Sequence, residues 1–150
     1  VGLTISLHVG GMYGLSPLWG WIADKIGAES VIAVGQALLL AALLMTSIGA
    51  ESQGWVLAGL ITIGLGWSAG TVGGSALVAK SADPLRRTVV QGRADLLMSF
   101  SGAVGGAGAG IVLSLVGYSG LSIIVSVFAL TVLVVLGIRR NPKVDTKTIG

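Results

Sequence analysis

Long runs free of Asp, Glu, Lys and Arg alternate along this chain with short gaps that hold its charge. A bilayer core about 30 Å thick needs roughly 20 helical residues to cross it, and the runs at 2–22, 30–49, 55–79, 96–116 and 120–138 meet that length. The last two form one uncharged run over 96–138, too long for a single crossing. Gly117-Tyr118-Ser119-Gly120 is the predicted turn within it, because glycine supplies the positive φ of a tight reversal. The runs are continuously apolar, whereas a barrel strand alternates over about 10 residues, so helices are favoured. The expected fold is all-α: a polytopic membrane bundle of five helices over 1–138, followed by a basic tail over 139–150.

The gaps orient this bundle. Lys25 lies in the first gap, Lys80, Arg86, Arg87 and Arg93 in the third, and Arg139, Arg140, Lys143 and Lys147 in the tail. The second gap holds only Glu51, and the fourth holds no charge. Because cytoplasmic loops collect Lys and Arg, the chain is expected to start outside and end in the cytoplasm. Trp19 and Trp21 near an inner end, and Trp55 and Tyr118 near outer ends, are expected as interfacial anchors. In the third gap, Asp83-Pro84 predicts the start of a short basic surface helix over 85–91, which places Arg86, Arg87, Gln91 and Arg93 in a cytoplasmic loop. Asp95 is expected to cap the fourth span.

Composition agrees with a membrane setting: 53% of residues are hydrophobic and 10% charged, against roughly 25% charged in a soluble domain, and mean hydropathy is +0.94. A net charge of +3 is explained by the loops, which leaves nucleic acid without support as a partner. The chain has no Cys and one His, hence no metal site is expected. No nucleophile with a paired base and no phosphate-binding loop is present, and the glycine run over 102–110 lacks the strand that a dinucleotide site requires. Neither an enzyme nor a cofactor is expected.

Glycine occurs 25 times, mostly inside the spans. Gly66, Gly70 and Gly74 share one face of the third span, and Gly102, Gly106 and Gly110 one face of the fourth. Small side chains let membrane helices approach closely, so both faces are expected to pack against protein. A functional reading is that these smooth faces let helices slide or rock.

The first gap reads Gly20-Trp21-Ile22-Ala23-Asp24-Lys25-Ile26-Gly27-Ala28-Glu29. It resembles the loop signature of the major facilitator superfamily of secondary transporters, Gly-x-x-x-Asp-Arg/Lys-x-Gly-Arg-Arg/Lys. Gly20, Asp24, Lys25 and Gly27 match, while Ala28 and Glu29 replace the two final basic residues. Such a degraded copy is similar to the one between the family's eighth and ninth helices, which makes the five spans helices eight to twelve of a partial major facilitator fold. The stretches over 8–17 and 87–95 resemble a bacterial branch of multidrug-type or uncharacterised members. The resemblance implies a fragment of a transporter in a bacterial plasma membrane that moves a small solute by alternating access. Its partners would be lipid and an N-terminal half not contained in this sequence. Asp24 and Lys25 would then form an inner gate, with Asp24 expected at the cytoplasmic end of the family's fifth helix.

The five runs contain no carboxylate or basic side chain that marks an ion path. His8 is the single imidazole within a span, read either as an interhelical hydrogen-bonding group or as a proton-coupling or substrate-contacting one. Gln36 is expected to hydrogen-bond between helices. Trp67, with Thr71 one turn on, is read equally as packing and as a stacking surface for an amphipathic substrate, and Tyr13 is a weaker candidate of the same kind. An uncharged interior leans the expectation towards efflux. The alternative is a non-transporting assembly protein that binds partner helices through its glycine faces.

Overall fold

The computed structural model describes residues 2–48 and 52–140, all-helical apart from short connections, with no strand among them. Glu51 and the tail beyond Arg140 lie outside the described residues, as does the side chain of Tyr118. The helices are α1 (Gly2–Tyr13), α2 (Ser16–Ile26), α3 (Ala28–Ile48), α4 (Gln53–Ser81) and α5 (Arg87–Arg140). Four segments are each long and apolar enough to cross a membrane: Ala28–Ser47, Gln53–Ser81, Arg87–Gly117 and Gly120–Arg139.

The first predicted span is broken into α1 and α2. Pro17 has no N–H to donate and its ring crowds the carbonyl one turn back, so a helix can restart at Ser16-Pro17 but cannot run through it. With 12 and 11 residues, each piece reaches less than about 20 Å, and only the two together match a crossing. Gly27 ends α2 with φ 92°, its N–H donating to the Ala23 carbonyl at 3.1 Å, and α3 begins at the next residue.

The broadest interface joins α3 to α4. It is built on a seven-residue spacing of small residues: Ala28, Gly35 and Ala42 on α3 face Gly73, Gly66 and Gly59 on α4 in antiparallel order. A β-carbon at Gly35 would stand 2.8 Å from the Gly70 nitrogen and 2.9 Å from the Gly66 oxygen, so the two backbones touch there. The predicted four-residue stripe is therefore only partly used. Gly66 and Gly70 lie at this seam, but a β-carbon at Gly74, Gly102, Gly106 or Gly110 would meet nothing within 4 Å. A second close approach joins α1 to α4, where Gly11 meets Ile61 and Gly64.

The core of this bundle is Ala23, Val31 and Ala69, with Trp19, Ile22 and Ala76 packed around it. Trp19, expected as an interfacial anchor, is thus partly buried against the core. Its position on α2 turns the ring towards α3 and α4, and its Nε1 is buried with no hydrogen-bond partner among the described residues. Trp21, on the opposite side of α2, remains exposed.

Helix α5 bends back on itself at Gly117, where φ is 68° and ψ −175°. Arg139 at the end of its second arm shares a groove with Asp83, Arg86 and Val90 at the start of the first, so the arms form a hairpin. No separate surface helix precedes it: residues 84–86 are a turn, in which the Asp83 carboxylate accepts the Leu85 N–H at 2.8 Å, and helix runs unbroken from Arg87. Asp95 accordingly lies within α5 and does not cap it, and Arg87, Gln91 and Arg93 are helical residues. No proline interrupts residues 87–95, and the single glycine there, Gly92, is carried inside the helix, so the boundary expected before Asp95 does not form.

Candidate functional site

One end of the bundle gathers the charge. Asp24, at the end of α2, is 3.5 Å from the Lys80 ammonium at the end of α4, so the loop signature is tied to a helix more than fifty positions away in sequence. The carboxylate is 78% exposed and Lys80 55%, which leaves Asp24 open to a further partner. Lys25 does not join this pair: its ammonium sits 3.9 Å from the centre of the Trp21 ring, one turn back on the same helix. Gly27 supplies the positive φ that lets α2 and α3 meet with almost no loop, whereas Gly20 has open space where a side chain would go.

Along the α1–α4 seam, His8 Nδ1–H donates to the Leu60 carbonyl at 2.7 Å. The acceptor has no proton of its own, so this bond fixes the tautomer and commits one ring nitrogen to a structural role. Further along, the Tyr13 and Trp67 rings meet edge to face with centroids 5.8 Å apart. Ser16 and the fully buried Ser68 share a hydrogen bond of 3.2 Å where α1 gives way to α2. Gln36 forms no hydrogen bond among the described residues; its Nε2 instead comes within 3.9 Å of where a β-carbon of Gly70 would stand.

Trp67, Thr71 and Ser75 are spaced by four on α4 and therefore share a face. Their continuation is a cleft of about 190 Å³ between α4 and the first arm of α5, lined by Gly70, Thr71, Gly74, Ser75, Val78, Gln91, Ala94, Asp95 and Met98. Gln91 Nε2 donates to Asp95 Oδ1 at 3.0 Å and to Ser75 Oγ at 3.3 Å. The structure thus joins Tyr13, Trp67, Thr71, Gln91 and Asp95 into one aromatic-to-polar strip. It places His8 at the same α1–α4 seam but ties it to backbone, and leaves Gln36 on the α3 side. Ser68, Ser75 and Lys80 were not singled out from sequence. Ser75 lies two turns beyond Trp67, a spacing that would have found it, but the Lys80 contact depends on how α2 and α4 cross and leaves no local signal.

Hydrophobic helices of membrane-crossing length, small-residue seams and charge gathered at one end define a polytopic integral membrane protein. The whole chain, residues 1–150, matches the Major Facilitator Superfamily, and the chain belongs to that family. It is similar to the uncharacterized MFS-type transporters YddS and YdeG of Bacillus subtilis, with 39% and 36% identity over 137 residues, or 91% of this chain. It is also 30% identical over 141 residues, 94% of the chain, to the riboflavin transporter RfnT of Brucella anthropi. The matches span 31%, 32% and 35% of these relatives' lengths. No solved structure matches the chain.

Proposed function

We propose that this chain is the later part of a secondary transporter that moves a small solute across a bacterial plasma membrane by alternating access, with its charged end in the cytoplasm. The observation that carries the reading is the Asp24–Lys80 contact. A clasp between two helix ends closes one side of a bundle and is weak enough to break in each cycle, because exposed ion pairs contribute about 0–1 kcal/mol. The aromatic-to-polar strip from Tyr13 and Trp67 to Asp95 supplies a surface for an amphipathic solute. Asp95, eight residues into α5 and thus roughly 12 Å from its start, is a carboxylate within a membrane-crossing helix, the kind of group that marks an ion path. We assign proton coupling to Asp95 in preference to His8, whose Nδ1 is held by Leu60.

The gene product containing this segment, reconstituted in liposomes, is the system for the test, with riboflavin and lipophilic cations as first candidate solutes. Solute flux above that of empty liposomes is expected. Asp24→Asn should cut it by up to about fivefold, the equivalent of about 1 kcal/mol, with normal incorporation and little change in thermal stability, since the pair it breaks is exposed. Asp95→Asn should abolish the response to an imposed pH gradient, while His8→Gln keeps it. Unchanged flux in Asp24→Asn would refute the clasp, and a gradient response that survives Asp95→Asn would refute the coupling site.

A further inference from the structure

A second groove lies at the charged end, between the α4–α5 connection and the last turn of α5. Its volume is about 510 Å³, and Arg86 and Arg139 both line it. These residues are far apart in sequence and meet only because α5 folds back at Gly117. Leu77, Val78 and Val90 form an apolar wall beside them. Ser81 Oγ–H donates to the Leu77 carbonyl at 2.8 Å and Asp83 Oδ1 accepts the Leu85 N–H at 2.8 Å, and the Asp83 carboxylate offsets one of the two arginine charges, so the groove keeps a net positive charge. Lys80 nearby is held by Asp24. Neither guanidinium has an ion pair or hydrogen bond among the described residues.

We propose that this groove binds the phosphate of an anionic glycerophospholipid, with Arg86 and Arg139 on the phosphodiester and the start of the acyl chains along Leu77, Val78 and Val90. Two guanidiniums lining one groove favour an anion between them, and a planar fork of N–H donors matches the oxygens of a phosphate. The groove opens where α4 and both arms of α5 leave the apolar part of their spans, which is the depth of lipid headgroups. A soluble anion would leave the apolar wall uncovered. The bound lipid would fasten the end of the α5 hairpin to α4, beside the Asp24–Lys80 contact. The inner-leaflet location rests on the orientation proposed above; the site itself does not.

The test is lipid retention. The gene product containing this segment is placed in nanodiscs of phosphatidylcholine mixed with phosphatidylglycerol, released into mild detergent, and weighed intact by native mass spectrometry. Phosphatidylglycerol should be retained over phosphatidylcholine by a factor on the order of ten. The double variant Arg86→Gln/Arg139→Gln should lose that preference, and Arg93→Gln should keep it. Arg86→Lys/Arg139→Lys, which preserves charge and guards against misfolding in the double Gln variant, should retain an intermediate amount because the forked contacts are gone. Inorganic phosphate and glycerol 3-phosphate added at release should not displace the lipid. Displacement by either would show a site for soluble phosphates, and an undiminished preference in the double Gln variant would show that the arginines do not hold the headgroup; each result overturns the proposal. Both leaflets are open in a nanodisc, so an inverted orientation would leave this test intact.

Discussion

Gly35→Val is expected to unfold the α3–α4 interface. A β-carbon at this position would lie 2.8 Å from the Gly70 nitrogen, 2.9 Å from the Gly66 oxygen and 3.3 Å from the Ala69 β-carbon. Two of these atoms are backbone in the middle of a helix, so no rotamer change can relieve the clash and the helices must separate. Overpacking of this kind costs about 1–3 kcal/mol for extra methylenes in a core, and the valine should lie at or beyond the upper end because it pushes on main chain. The separation would also open the core at Ala69 and Val31. The measurement is the fraction of monodisperse protein that survives a heating series, read by size-exclusion chromatography. Gly74→Ala and Gly106→Ala are the controls, since neither β-carbon would meet anything within 4 Å, and alanine is the better helix former by about 1 kcal/mol. They should be neutral or slightly stabilising. Equal behaviour of Gly35→Val and these controls would contradict the close seam.

Gly117→Val is expected to have an effect of similar size, expressed in topology. With φ 68° and ψ −175°, this residue occupies a region essentially reserved for glycine, where another side chain costs on the order of 1–3 kcal/mol. The alternative is a continuous helix, and at about 1.5 Å per residue the 54 residues of α5 would then form a rod of roughly 80 Å, more than twice the hydrocarbon thickness. The second arm could no longer return to bring Arg139 beside Arg86. A reporter fused after the last residue should change from a single sidedness to a mixture, with loss of folded protein. Uniform, unchanged sidedness would show that the reversal does not depend on glycine at this position.

These residues also show which parts of the fold are legible in sequence. The charge gaps mark the ends of long apolar helices because a charge excluded from hydrocarbon leaves a mark at one position, with no knowledge of partners required. The turn at Gly117 is legible for the same reason: the backbone conformation needs a residue type, and that type is there. The break before Ser16-Pro17 was hidden by an apolar run that crosses it without interruption, although Pro17 itself carried the signal. Packing is less legible. The four-residue glycine stripe of α4 is the more conspicuous pattern, yet the helices chose the seven-residue spacing of Gly59, Gly66 and Gly73, because only that set faces a matching row on α3. A partner row is a property of two helices, and reading one of them cannot reveal it.

The candidate site divides in the same way. The signature residues Asp24, Lys25 and Gly27 could be found by spacing, but their separate contacts, with Lys80, with Trp21 and through a positive φ, depend on how α2 leaves the bundle. Sequence suggests a helix start at Asp95 because its carboxylate can accept the free N–H groups of a first turn. In the structure it is interior, since the helix starts two turns earlier at Arg87, and its carboxylate faces the α4–α5 cleft with Gln91 and Ser75. Thus the position that looked like a cap lies inside a helix.

The proposal that the charged end lies in the cytoplasm and the α3–α4 turn lies outside underlies the clasp, the coupling site and the direction of the α5 hairpin. The sequence contains no Cys, so single cysteines can be introduced without a background. Ser52, just before α4, and Thr88, in the first turn of α5, flank one full crossing. In intact cells a membrane-impermeant maleimide should label Ser52→Cys, and should label Thr88→Cys only after permeabilisation. Labelling of both from the same side, or of Thr88→Cys alone in intact cells, would contradict the account.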